Sequence, residues 1–213
     1  LGEIFHGDPK KLADEMGPGK LDAAYDYPGY FWADRALHGE APTKALEDAA
    51  HAIASAFGAK AKNLMRFIDN HDKPRFLRAG EPIGRLRVAL AYLMLSAGTP
   101  YLYYGVEQGF RQYAPGNLDM NYYREDMFEG GKFGSESSQG GHDQKNELYA
   151  FTAQLSVLRA ARPALLDGEQ YVRWSDPVSP GIYAFSRIHG NQEVLVVINT
   201  SDKRQRATMF VDE

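Results

Sequence analysis

Asn63-Leu-Met-Arg-Phe-Ile-Asp-Asn-His-Asp-Lys-Pro-Arg75 changes character midway. Leu64 to Ile68 is a short apolar run of the kind a buried strand needs. It then turns polar: Asp69, Asn70, His71, Asp72 and, past Lys73-Pro74, Arg75. A strand that delivers carboxylates, an imidazole and a guanidinium at its C-terminal end is how a parallel α/β barrel presents chemistry.

The flanking sequence repeats the strand–helix alternation. Upstream, Leu1–Phe5 and Leu21–Tyr27 read as strands, and Pro9 to Gly19 as a loop or short helix. Tyr27-Pro-Gly-Tyr30 reads as a turn, with Tyr27 and Tyr30 open to sugar stacking. Thr43 is placed to cap a helix that buries Leu46, Ala49, Ala50, Ile53 and Phe57. Downstream, Ile83 to Ala97 is a helix with Leu86, Leu90, Leu93 and Met94 inward; Gly98 ends it and Pro100 follows. Tyr101–Tyr104 reads as a fourth strand. Strands alternating with helices argue for a parallel sheet. Eight such units close a barrel and take about 250 residues, so half a barrel is expected.

Residues 106–142 are rich in Gly, Tyr, Asn and Asp and form a long connection. Asp143 is positioned to cap a helix with Leu148, Phe151, Leu155 and Leu158 on one face, ending near Arg162-Pro163. After Leu166 the pattern becomes all-β. Tyr171–Trp174, Ile182–Ile188, Val194–Asn199 and Ala207–Val211 read as strands, with a hairpin turn at His189-Gly190-Asn191-Gln192. The expected division is a barrel portion over 1–165 and an incomplete β-sandwich over 166–213.

Composition bounds the function. The chain has 213 residues, 44% hydrophobic and 24% charged, which suits a globular protein with a sizeable core. Net charge is −4 with no basic block, which argues against nucleic acid or anionic lipid as partner. No apolar run has the length of a membrane span. There are no cysteines, so disulfides and thiolate metal sites are excluded.

Glu3 and Asp72 each fall at the C-terminal end of an expected parallel strand. Two carboxylates facing one cleft suit glycosidic bond cleavage. One stays protonated to serve the leaving oxygen, and the other stays charged to stabilise an oxocarbenium-like centre. His71 beside Asp72 is able to hydrogen-bond a sugar hydroxyl. The same residue types also serve as loop caps and ion pairs. Asp69 and Asn70 fit strand-end hydrogen bonding, Glu107 a structural role, and Arg75 a pairing with a carboxylate inside the barrel. His6 and Asp8 make two potential metal ligands without a third.

Phe67-Ile-Asp-Asn-His-Asp72 with Lys-Pro-Arg75-Phe76 resembles the strand-seven motif of the α-amylase family of glycoside hydrolases. Leu1-Gly-Glu3-Ile-Phe-His-Gly7-Asp8 resembles that family's strand five, and Gly98-Thr-Pro-Tyr-Leu-Tyr-Tyr-Gly105-Val-Glu107-Gln108 its strand eight. Asn121-Tyr-Tyr-Arg124-Glu125 and Leu158-Arg-Ala-Ala-Arg162-Pro163 follow in the family's order. The resemblance implies a general acid/base role for Glu3. It implies for Asp72 a carboxylate that holds sugar hydroxyls and stabilises the transition state. It also implies sugar contacts for His71, Arg124 and, less directly aligned, Asp119, with Phe5 and His6 bordering the leaving-group side.

The family's nucleophile is an Asp on strand four, which belongs upstream of Glu3. The inserted domain that often binds calcium belongs upstream as well. The resemblance thus implies a retaining parent acting on α-glucosidic links of starch-like glucans, hydrolysing or transferring. It implies calcium as a possible metal of that parent and no cofactor for this chain. The chain alone is expected to be inactive, with an N-terminal half or further copies of itself as partners that complete the barrel. Two other readings stay open: a carbohydrate-binding or assembly module derived from an amylase barrel, and a structural partner protein of the kind in which an amylase-like domain serves as a subunit, against which the retention of Glu3, His71 and Asp72 together weighs.

Overall fold

The computed structural model describes residues 1–112, 123–128 and 142–211. Two sheets organise them. The first is parallel, with β1 (Ala24–Tyr25) beside β2 (Leu64–Arg66) and β2 beside β3 (Thr99–Pro100). A parallel bridge from Gly2 to Ala24 adds a fourth position at the edge. Neighbours in space are therefore neighbours in the chain, all pointing the same way, as in the wall of an α/β barrel.

Two of these strands differ from expectation. Leu1–Phe5 is not a strand. Its ladder consists of two bonds, from Gly2 N to Ala23 O at 2.9 Å and from Tyr25 N to Gly2 O at 3.4 Å. The chain then folds back on itself through His6 N to Ile4 O. The fourth strand lies at Thr99–Pro100 rather than Tyr101–Tyr104. Tyr101 N still reaches Arg66 O at 2.7 Å, and beyond it the backbone turns toward Gly105.

Helices flank the parallel sheet. α1 (Pro9–Asp14) begins at Asp8, whose carboxylate accepts from Lys10 N, so Asp8 is a helix cap. α2 (Tyr27–Leu37) occupies the segment that reads as a turn. Pro28 sits in its first turn, where a missing N–H costs nothing, and Asp26 caps it by accepting from Gly29 N at 2.8 Å. α3 (Lys44–Phe57) buries Leu46, Ala49, Ile53 and Phe57, while Ala50 is only half-buried. Thr43 precedes α3 but makes no side-chain cap. Its hydroxyl instead donates to Ile182 O and accepts from Asp176 N, fastening the helix to the C-terminal sheet. α4 (Ile83–Leu95) buries Leu86, Leu90, Leu93 and Met94 as its pattern predicts. Gly98 follows at φ 100, with the space for a Cβ only 3.1 Å from Leu64 O.

α5 (Glu147–Ala160) is capped by Asn146 rather than Asp143. Asp143 accepts from Lys145 N one turn earlier. Its inner face carries Leu148, Leu155 and Arg159, and Leu158 is exposed. Arg159 takes the inner position because its guanidinium donates to Met94 O, Ser96 O and Gly98 O, the carbonyls left open at the end of α4.

A short helix α6 (Pro163–Asp167) leads into an antiparallel sheet of β4 (Glu169–Trp174), β5 (Ile182–His189) and β6 (Gln192–Asn199). The β5–β6 turn at Gly190-Asn191 lies where the sequence places it. Ala207–Val211 forms no strand, and Phe210 there is 91% exposed. Among the described residues nothing pairs with this segment, so it has no ladder. Tyr183, Phe185, Val196 and Ile198 of this sheet join Leu86, Leu90 and Leu93 of α4 in one apolar core.

Candidate active site

The C-terminal ends of the parallel positions converge. Glu3 follows the edge bridge at Gly2, Tyr27 follows β1, and Asn70 to Asp72 follow β2. One ligand atom from each of Glu3, His71 and Asp72 lies within 4.8 Å of the other two. Two carboxylates and an imidazole therefore face one small volume open to solvent.

Each carboxylate is oriented. The buried Tyr27 hydroxyl donates to Glu3 Oε1 at 2.7 Å, and Asn70 Nδ2 donates to the Tyr27 oxygen at 3.3 Å. Asp72 N donates to Asn70 Oδ1 at 2.9 Å, so one asparagine braces both sides of the site. Arg124 donates through Nη2 to Asp72 Oδ1 at 2.9 Å and through Nε to His71 O at 3.1 Å. His71 Nε2 lies 3.4 Å from Asp72 Oδ2. Burial, and then the bond to Glu3, hold the Tyr27 phenol well above its ordinary range, so it stays a donor.

An aromatic wall borders Glu3. Phe5, 61% exposed, packs against Tyr27 and Phe31 at centroid distances of 4.8 and 5.8 Å. The Lys73 ammonium lies 4.2 Å from the Phe5 centroid and 5.1 Å from that of Phe31. His6 faces its own loop, its Nδ1 accepting from Asp8 N. Asp119 lies outside the described residues.

A buried layer supports the floor. Arg75 pairs with Glu125 through Nε and Nη2 at 2.9 and 2.8 Å, both side chains being fully buried. Tyr103, Tyr104 and Phe110 enclose the guanidinium at 4.4 to 5.1 Å. Arg75 therefore holds an internal ion pair. Asp69 accepts from Phe76 N, and burial pushes its carboxyl up to about 6 against the pull of Arg75. Glu107 accepts from Gly105 N within its own turn.

Among the described residues, Glu3, His71 and Asp72 are also the only three potential metal ligands so close together. Tyr27 and Arg124 engage one oxygen of each carboxylate, and His71 Nε2 lies beside the other oxygen of Asp72. Tyr27 as a partner of Glu3 was not foreseen from sequence; the Asp26 cap and Pro28 were the signals that place it at a helix start.

Residues 1–156 match the family model of the alpha-amylase catalytic domain. The chain belongs to the α-amylase family. It is 32% identical over 98% of its length to a beta/alpha-amylase of Paenibacillus polymyxa, and covers 16% of that protein. It is 34% identical to a cyclomaltodextrin glucanotransferase of Paenibacillus macerans, over 65% of this chain and 17% of the relative. The chain thus spans about a sixth of the length of these curated relatives. An α-amylase of Geobacillus thermoleovorans, solved with acarbose, shares the fold at a TM-score of 0.72 and 22% identity, covering 94% of this chain and 41% of that one. The α/β amylase fold accordingly frames the site.

Proposed function

We propose that this chain carries the acid/base and the stabilising carboxylate of a retaining enzyme that hydrolyses or transfers α-glucosidic links of starch-like glucans. The convergence of Glu3, His71 and Asp72 within 4.8 Å supports this reading. Glu3 gives a proton to the leaving glycosidic oxygen, then takes one from the incoming water or sugar hydroxyl. Asp72 remains charged, holds ring hydroxyls and offsets charge on the oxocarbenium-like centre, with Arg124 fixing its rotamer. His71 donates to the same ring. Phe5 and His6 flank the leaving-group side, and Arg124 with Asp119 extends the site along the donor chain.

The same reading assigns residues 1–165 to the second half of a (β/α)8 barrel and 166–213 to part of a β-sandwich. The covalent intermediate requires an Asp that belongs upstream of Glu3, to be supplied by an N-terminal half. The 213-residue chain alone is expected to bind maltooligosaccharides without turnover. Sugar release is expected once an N-terminal half restores the nucleophile, and Glu3→Gln is expected to abolish it. Turnover by the pure monomeric chain, lost in Glu3→Gln, would overturn the requirement for a partner. Sugar binding with no turnover even in the complemented assembly would favour a binding module.

A further inference from the structure

At the opposite end of the parallel strands lies a cavity of about 510 Å³. Lys62 and Gly98, which line it, precede β2 and β3, whereas Glu3 and Asp72 follow their strands. Its lining includes Arg66 and Arg187, residues only 8% and 1% exposed. Arg159, also buried, stands behind them.

These three arginines are short of carboxylates. Arg66 has Asp26 at 3.3 Å. Arg187 directs its bonds to Gly168 O and Leu95 O, and Arg159 to the carbonyls at the end of α4. Carbonyl dipoles satisfy hydrogen bonds, and the exposed Asp167 is the carboxylate that acts on both Arg159 and Arg187, so positive charge remains in excess over carboxylate. The strain shows in the Arg187 guanidinium, pushed down to about 10 by burial and by its neighbours Arg159 and Arg66. Asp167 and Glu169 on the rim are exposed, and Glu169 accepts from the Tyr171 hydroxyl. The rest of the lining is largely apolar, with Ile53, Ala54, Ala61 and Val172.

We propose that this cavity is a binding site for a small organic oxyanion, its head on Arg66 and Arg187 beneath Lys62 and its apolar body against the α3 side. A guanidinium pair recognises carboxylate or phosphate oxygens through parallel N–H donors. The volume and the mixed lining match those of small-molecule sites. Because the cavity lies at the other end of the strands, such a ligand does not compete with a sugar at Asp72.

The test is isothermal titration of the 213-residue chain with phenyl phosphate and with inorganic phosphate, at constant ionic strength set with chloride. One saturable site is expected for each, tighter for phenyl phosphate by about tenfold because its ring is buried. Maltotriose should leave this binding unchanged. Lys62→Glu reverses the charge at the mouth, and Ala54→Phe places a ring from an exposed helix position into the cavity. Both should weaken phenyl phosphate at least about fivefold, with circular dichroism unchanged. Heats no larger than those of the chloride control, or an affinity that survives either substitution, would overturn the site.

Discussion

Tyr27 donates its hydroxyl hydrogen bond to Glu3 at 2.7 Å across 24 residues of chain. The tyrosine is buried in the first turn of α2, whereas Glu3 stands exposed on a segment held by a single bridge. A rigid element thus aims a side chain on a loosely held one. Tyr27→Phe removes the aim but keeps the ring packing against Phe5 and Phe67. In an assembly competent for turnover, kcat is expected to fall about tenfold with KM little changed, because the bond aims the acid/base at the reacting oxygen. Folding stability should change by about 1 kcal/mol or less. Steady-state kinetics on a maltooligosaccharide decides it, and an unchanged kcat would remove Tyr27 from the site.

Arg75 and Glu125 form a wholly buried pair beneath that site. Removing one partner leaves an uncompensated charge in the core, a loss of about 3–5 kcal/mol. Arg75→Met should therefore unfold at much lower urea than the parent chain. The double change Arg75→Met with Glu125→Gln should recover part of that loss, since the orphaned carboxylate is then neutral. A single variant with a parental midpoint would show that the pair is dispensable.

Asp69 gives the chain a pH signature. Its native carboxyl is pushed up to about 6, above the ordinary unfolded value of about 3.9. Between those two values the folded chain holds a proton that the unfolded chain has lost. Stability attributable to Asp69 therefore falls as pH rises through this window, by about 3 kcal/mol at most, and stays low above it. Asp69→Asn lacks the ionisation yet can still accept from Phe76 N. The stability difference, variant minus parent, should grow from pH 4 to pH 7 in urea titrations. A difference that is flat with pH would contradict the raised carboxyl.

What was legible in the sequence is what local pattern alone determines. The apolar run Leu64–Ile68, the helix starting at Ile83 and the Gly190-Asn191 hairpin carry their signals within a few residues, although the helix ends at Leu95 with Ser96, not Gly98, as its cap. The strand at Leu64–Arg66 is shorter than its apolar run because Phe67 and Ile68 are buried as the chain turns into the site. α2 was hidden because Tyr-Pro-Gly suits a turn as well as a helix start. The choice falls to Asp26, whose cap on Gly29 is a tertiary-supported bond beside Arg66. Leu158 and Arg159 exchange their expected places because the open carbonyls of α4 lie more than 60 residues away in the chain, beyond any periodicity. The closeness of Glu3 and Asp72 was anticipated as strand-end chemistry; the bracing of both by Asn70 and Tyr27 was not, since amide and phenol positions carry no sequence signal of their own.

Arg124 offers a separation of binding from folding. It is exposed and, among the described residues, touches the site through Asp72 Oδ1 and His71 O. An exposed ion pair contributes about 0–1 kcal/mol to folding, so Arg124→Ala should leave the urea midpoint close to the parent. The loss should appear in the site instead. Asp72 then rotates freely, and the oxygen that faces a sugar is no longer fixed. Maltooligosaccharide affinity is expected to fall about tenfold, measured by titration calorimetry on the 213-residue chain. Arg124→Lys should restore only part of it, because a lysine donates from one point and cannot span Asp72 and His71 O together. Equal affinity in all three proteins would mean that Arg124 is a surface tether with no part in sugar binding.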